Sequence, residues 1–523
     1  MATFKKNILK YAWVSGFMFL SILATAQKYT NPILHEDYSD PDVIRVGNKF
    51  YMVASSFNYV PGLPILSSND LVHWTLTGYA LQQNMPIEHY KKVKHGAGVW
   101  APSIRYHAGE FYIYYPDPDF GIYLIKSKKI EGPWSVPILV QAGKGLIDPC
   151  PFWDDNGKAY LVHAYAGSRA GIKSVLTLQE MLIDGTKLIG NGILVYDGHG
   201  IDPTVEGPKL YKRAGWYYIF APAGGVATGW QIVLRAKKIM GPYERKVVME
   251  QGNSAVNGPH QGAWVQTNTG EDWFVHFQDK EAYGRIVHLQ PMQWKENWPI
   301  IGVDNKGNGI GEPVEEYDMP KHIIQPAKVS SNITIQEKLA FQWSANPEPN
   351  YQMEYNGIDR YYAILNNDSI QNLWNFPALH LRKLPAEKFV ATAQLNFKSL
   401  QEGERAGFIV FGTSYAGLCL EFTGNKLNLQ YIECNNANKK GVEKKSLIAT
   451  NIPNSVFGRI AMNKGGLAAF SYSLDGQNFI PISNIFKAEP GMWVGSKIGT
   501  FCSSIKTTND AGWLEVASFK IEK

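Results

Sequence analysis

Three acidic residues in the first half of the chain open similar stretches: Asp40 in "DPDVIRVGNKFYMVAS", Asp148 in "DPCPFWDDNGKAYLVHA" and Glu206 in "EGPKLYKRAGWYYIFA". Trp100 in "WAPSIRYHAGEFYIYY" and His260 in "HQGAWVQTNTGEDWFVHF" stand at the corresponding point of two more. Carboxyls in such a set suit the hydrolysis of a glycosidic bond. One, protonated, assists the departing oxygen; another, ionised, activates water or attacks. A third nearby holds the acid's proton by like-charge repulsion and orients it. Aromatic rings stack on sugar faces, and an arginine reads hydroxyls.

This chemistry requires the five positions to meet, and the repeat supplies a way. Each stretch runs from a polar or aromatic residue, often followed by proline, through an apolar segment and a Gly-containing turn into an aromatic-rich strand. Successive starts lie 60, 48, 58 and 54 residues apart, near the roughly 40–50 residues of a four-stranded propeller blade. The pattern predicts an all-β chain that opens with a five-bladed β-propeller over 27–305. A β-sandwich would not place the same turn five times at this interval. The innermost strand of each blade lines the central channel, so Asp40, Trp100, Asp148, Glu206 and His260 converge at one end. Three buried carboxylates would each cost several kcal/mol unless paired, on the order of the usual penalty for a buried charge. Such a cluster is a poor arrangement for stability alone.

Each residue has a plainer reading. Asp154 and Asp155 in "DDNG" suit a hairpin turn, and Asp42 in "SDPD" competes locally with Asp40. Glu206 precedes Gly207 and Pro208 and suits a turn cap. His260 equally suits a satisfied core histidine. It is the fivefold recurrence that favours the chemical reading of Asp40, Asp148 and Glu206.

Beyond residue 305 the repeat stops. "DNKGNGIGEPVEEYDMPKHIIQP" reads as a Gly/Pro-rich linker, 306–334. Alternating segments such as "KFVATAQLNF" and "KLNLQYIE" then predict a C-terminal β-sandwich over 335–523. At the other end, Lys5, Lys6 and Lys10 precede a short apolar run and small residues Ala24 and Ala26. Residues 1–26 therefore read as a cleaved signal peptide, with the mature protein secreted or periplasmic and without a membrane anchor. The 51 basic and 46 acidic residues are spread without long runs, which excludes a nucleic-acid footprint. Four cysteines are too few for a disulfide framework, although one pair among Cys419, Cys434 and Cys502 could bridge. No cysteine–histidine grouping has zinc spacing.

The passage "NPILHEDYSDPDVIRVGNKFYMVASSFNYVPGLPILSSNDLVHW", with "IDP…DDNGKAYLV", "EGPKLYKRAGWYYIFA" and "GRIVHLQPMQW", resembles glycoside hydrolase family 43. The likeness is to its β-xylosidase and α-L-arabinofuranosidase members, and it covers the whole mature chain. "DGQNF…GMWVGSKIGTFC" is similar to the sandwich domain of the two-domain members. The resemblance implies a five-bladed propeller and an inverting reaction on hemicellulose-derived oligosaccharides. It makes Asp40 the general base, Glu206 the general acid and Asp148 the residue that orients the acid and raises its pKa. It further implies that Arg285 contacts substrate hydroxyls and the pKa-tuning acid, that Phe57 and Trp100 wall the pocket, and that Asn58 and Tyr59 belong to a loop that selects the sugar. His260 is implied to help hold calcium in the channel, largely through water, and no organic cofactor is implied. Xylose and arabinofuranose stay open as the sugar, as do an endo-acting arabinanase and a non-catalytic carbohydrate-binding propeller.

Overall fold

The computed structural model describes residues 27–322, 337–367 and 372–523. The segment read as a signal peptide, 1–26, and part of the stretch read as a linker lie outside them. Five four-stranded antiparallel sheets follow one another from residue 42 to residue 301, each built from four consecutive strands. Their first strands are Asp42–Val46, Ser103–His107, Leu146–Trp153, Lys209–Arg213 and His260–Gln266. From blade five round to blade four, first strands of adjacent blades touch, and the ring closes where His260–Gln266 lies against the second and third strands of blade four.

Five apolar cores lie between the blades and close the ring. Val53 and Ile65 of blade one meet Ile104 and Ile113 of blade two. Tyr112 and Leu124 meet Leu161 and Met181 of blade three, and Val162 and Leu178 meet Ile219 and Leu234 of blade four. Phe220 and Val233 meet Phe274 and Met292 of blade five, whose Val275 and Leu289 return to Phe50 and Leu66. Second strands such as Asp272–Asp279 are therefore buried on both faces, which is why they read as continuous apolar runs. The N-terminal segment seals the ring. Lys28–Thr30 pairs with Glu316–Asp318, a strand within the expected linker. The Asn31 side chain donates to the carbonyls of Leu289 and Val314, both at 2.8 Å.

The C-terminal third is a sandwich of an eight-stranded and a seven-stranded sheet. Phe389–Lys398 alternates buried and half-buried residues, as a strand with one face on a core should. Arg405–Phe411 is buried throughout. Its Ala406, Phe408 and Val410 enter the core between the sheets. Ile409 and Phe411 face a second core shared with Phe57, Tyr59 and Val60 of the propeller. The sandwich is thus docked on blade one, and each large side chain so buried contributes roughly 1.5–3 kcal/mol.

Two local readings change. Asp154 does form the turn, donating from its N–H to the Lys158 carbonyl. Its buried carboxylate also accepts from Lys212 Nζ at 2.6 Å and from the Tyr217 hydroxyl at 2.8 Å, locking blade three to blade four. Asp155 is the exposed turn residue. Asp42, the rival of Asp40, is fully buried and accepts from Arg105 Nη1 at 2.6 Å and the Ile104 N–H at 2.8 Å. Cys150, Cys419 and Cys502 are buried thiols outside any disulfide. No helix among the described residues is long and apolar enough to cross a membrane.

Candidate active site

The aspartates are aimed by irregular backbone. Asp40 and Asp148 each precede a proline, which has no N–H to give a ladder, and each adopts φ of +56°. A left-handed non-glycine residue costs about 1–3 kcal/mol and persists only where its surroundings hold it. In blade three the register slips between Ile147 and Cys150, so Asp148 sits on a β-bulge. In blade five it slips between His260 and Gly262, leaving Gln261 at φ +32°. Bulges re-aim side chains, and here both turn the chain into one end of the channel. Trp100 and Glu206 are fixed instead by backbone bonds to the carbonyls of Pro116 and Pro222, in the second strands of their own blades.

The result is a recess of about 110 Å³ into which Asp40, Phe57, Trp100, Asp148, Glu206 and Arg285 all project. Asp40 is buried; its carboxylate accepts from Ser55 Oγ at 2.5 Å and from Arg285 Nη1 at 3.3 and 3.4 Å. Asp148 Oδ2 accepts the Gly207 N–H at 2.7 Å, so it grips the backbone immediately after Glu206. Gly207 has φ of +58°, and a Cβ there would meet Gln261 Cγ at 2.8 Å, so glycine is required on both counts. Burial, then the charge of Glu206, push the Asp148 carboxyl up to about 8, against the pull of the Gly207 N–H and Lys209. Glu206 is about one-third exposed, and its Oε1 lies 2.9 Å from His260 Nε2. Either group can donate in that bond: the imidazole when Glu206 is ionised, the carboxyl when it is protonated.

Other expectations shift. Arg285 pairs with Asp40 rather than with Asp148. Asn58 and Tyr59 do not line the recess. Asn58 donates to the Ser344 carbonyl at 2.8 Å, and Tyr59 lies under Lys497 Nζ, 4.3 Å from its ring centroid, so both serve the domain interface. Phe57 lines the recess and the interdomain core at once.

Two lining residues were not foreseen. Trp493, from the sandwich loop before Lys497–Ser504, meets Trp100 edge to face at 6.1 Å. Gln261 is buried, and its amide nitrogen has no protein partner. The strand start "HQG" signals a turn into the channel, but only the bulge reveals that the glutamine follows the histidine there.

The calcium expectation rests on His260. Among the described residues no three or more His, Cys, Asp or Glu side chains cluster to hold a metal ion. His260 Nε2 is engaged by Glu206, and Nδ1 is buried without a protein partner. Calcium takes about 6–8 oxygen ligands, and one imidazole nitrogen is not such a set. The remaining ligands would have to be water, and no step below runs through a metal.

Comparison with known proteins agrees with this fold. Residues 29–299 match the family description "Glycosyl hydrolases family 43", and residues 336–522 match "Beta xylosidase C-terminal Concanavalin A-like domain". The chain belongs to glycosyl hydrolase family 43. As a member of that family it is a glycosidase. A Xylanibacter ruminicola protein is 36% identical over 480 residues, spanning 90% of this chain and 85% of its own. A β-xylosidase of Formosa agariphila is 33% identical over 547 residues, spanning 94% and 90%. The crystal structure of xylan β-1,4-xylosidase from Bacillus halodurans C-125 superposes with a TM-score of 0.79 at 23% identity, covering 94% of this chain and all of that one, a likeness of fold.

Proposed function

We propose that this family 43 glycosidase releases a terminal pentose from hemicellulose oligosaccharides with inversion at the anomeric carbon. Asp40 is the general base, Glu206 the general acid and Asp148 the residue that keeps a proton on the pair and holds Glu206 in place. The observation that carries the reading is the meeting of these three carboxyls in one small recess beside Arg285 and two tryptophans. Its volume of about 110 Å³ is well below the roughly 300–1,000 Å³ of sites that enclose drug-sized ligands. That suits one sugar ring, which favours an exo-acting enzyme over an endo-acting arabinanase. A non-catalytic propeller would have no use for the acids.

In the proposed reaction the pentose lies against the contacting Trp100 and Trp493 rings, where an aromatic face stacks on C–H groups. Arg285 and the unpartnered Gln261 amide donate to hydroxyls. Asp40 takes a proton from a water on one face of the ring while Glu206 protonates the leaving oxygen on the other. Asp148, whose carboxyl burial and the charge of Glu206 push up to about 8, keeps a proton beside Glu206 through neutral pH. A sugar that covers Glu206 removes water from it and draws that proton toward the leaving oxygen. The N-terminal signal reading puts this work in the periplasm or the medium.

β-D-Xylose is placed first as the sugar, because the Formosa β-xylosidase aligns over nearly the whole chain. α-L-Arabinofuranose is second; a Bacteroides ovatus non-reducing end α-L-arabinofuranosidase is 30% identical over 77% of this chain and 78% of its own. The test is release of 4-nitrophenol from the β-D-xylopyranoside and the α-L-arabinofuranoside, with the first-formed anomer of the sugar read by NMR. Hydrolysis of neither substrate ends the proposal, and a retained anomer ends the assignment of Asp40 as a base.

Asp148→Asn provides a pH test. The Asp148 carboxyl keeps its proton through neutral pH and loses it near 8, so the pair supplies an acid until then. Removing that carboxyl removes the second charge that retains the proton. The alkaline limb of kcat/KM should move to lower pH, by on the order of one unit or more, and the maximum should fall. An alkaline limb that stays in place would leave Asp148 as a turn residue only.

A further inference from the structure

Asp37 lies outside the recess, yet it touches both of the structures that form its walls. It is buried, and its two carboxylate oxygens are used separately. Oδ1 accepts the backbone N–H of Arg285 at 2.9 Å, and Oδ2 accepts the backbone N–H of Gly495 at 2.9 Å. Arg285 belongs to the propeller and pairs with Asp40; Gly495 belongs to the sandwich loop, two residues after Trp493. The joint has no room to spare. A Cβ on Gly284 would lie 2.5 Å from the Gly495 nitrogen and 2.6 Å from Asp37 Cγ. A Cβ on Gly495 would lie 2.6 Å from the Tyr283 carbonyl carbon. On the same loop, Ser496 N–H donates to the Ala282 carbonyl at 2.7 Å, so the contact is a short run of bonds rather than one.

We infer that Asp37 is a positioning residue that fastens the Trp493 loop of the sandwich to Arg285 of the propeller, and so sets the width of the recess. Its effect on catalysis passes through those two residues. A single carboxylate bridging two backbone donors from different domains is poorly replaced. Asparagine keeps one acceptor oxygen and turns an N–H toward the other donor, while alanine leaves two buried N–H groups unpaired. Asp37, with Glu36, also opposes the charge of Lys383 and Lys497, two buried ammoniums of the sandwich that stand over the rings of Tyr38 and Tyr59. The same side chain therefore serves the joint and the charge balance around it.

The experiment uses the full chain and two readouts. Hydrogen exchange of the segments 281–287 and 489–497 reports the joint without reference to any substrate. Both should exchange faster in Asp37→Ala, with the interblade strands unchanged; Asp37→Asn should fall between. Kinetics on the aryl pentosides rest on the proposed function and give the second readout. Asp37→Ala should lose roughly 10- to 100-fold in kcat/KM, the cost of unpaired buried donors expressed as a rate, and Asp37→Asn less. In a Trp493→Ala background the same change should cost several-fold less, because its main route of action is already gone. Unchanged exchange in both segments overturns the inference, as does a loss that is simply additive with Trp493→Ala. If wild type cleaves neither pentoside, the proposed function fails, while the exchange result still decides the role of Asp37.

Discussion

Asp40→Ala is expected to lower kcat/KM on a pentose disaccharide by about 10²–10⁴-fold, the usual contribution of a positioned base, with a smaller effect on KM. The geometry explains the asymmetry. Asp40 contributes one acceptor in a recess whose other walls remain, and Trp100, Trp493 and Arg285 still meet the sugar. What is lost is the atom that takes the proton from water. Ser55 and Arg285 cannot stand in, since both donate to Asp40. The variant also frees Arg285 from its carboxylate, so part of the loss comes from a guanidinium that is no longer aimed. Asp40→Asn separates the two effects, because it keeps the shape and a carbonyl acceptor. A further arm uses azide, which needs no deprotonation to attack. Added azide should restore turnover in Asp40→Ala and give the glycosyl azide of inverted configuration. No rescue, together with a loss confined to KM, would remove Asp40 from the role of base.

The position of Asp40 in the recess was legible in the sequence because it belongs to the repeat. Four blades bring their repeat residue, Asp40, Trp100, Asp148 or Glu206, to the recess, and a proline after Asp40 and Asp148 marks where the ladder gives way. The elements that were missed depend on packing between parts distant in sequence. Trp493 reaches the recess because the sandwich packs on the propeller, on blade one through Phe57 and Tyr59 and on blade five through its own loop, and nothing in "GMWVG" announces its partner. Asn58 and Tyr59 looked like selectors of the sugar for the converse reason. They lie beside Phe57 in the chain, but the stretch there is irregular, with Phe57 at φ of +53°, and carries both to the other domain. Asp154 was read as a turn residue from four letters, and the turn is there. Its bond to Lys212 required knowing that blade four lies against blade three. Gln261 was hidden by a single extra residue in a strand, which no periodicity detects.

Glu206→Ala should divide substrates by how much help their leaving group needs. A sugar alkoxide must be protonated as it departs, whereas 4-nitrophenoxide leaves as a stable anion. On xylobiose the variant is expected to lose roughly 10³–10⁴-fold in kcat/KM, near the upper range for general acid catalysis. On the nitrophenyl pentoside the loss should be about tenfold, from altered packing alone, an order of magnitude below the least that range allows. The prediction draws on position. Glu206 is the most exposed of the three carboxyls, with its oxygen 2.9 Å from His260 Nε2, while Asp148 is held back against the Gly207 amide. Only Glu206 can follow a departing oxygen toward the mouth of the recess. The pH profile adds a second signature: without the acid, the alkaline limb should disappear for the activated substrate, since no proton is then being delivered. If Asp148 were the acid instead, its higher affinity for a proton would serve it, and Asp148→Asn, not Glu206→Ala, would show the leaving-group dependence. Equal losses on both substrates in Glu206→Ala would therefore transfer the acid to Asp148 or to a group outside the recess.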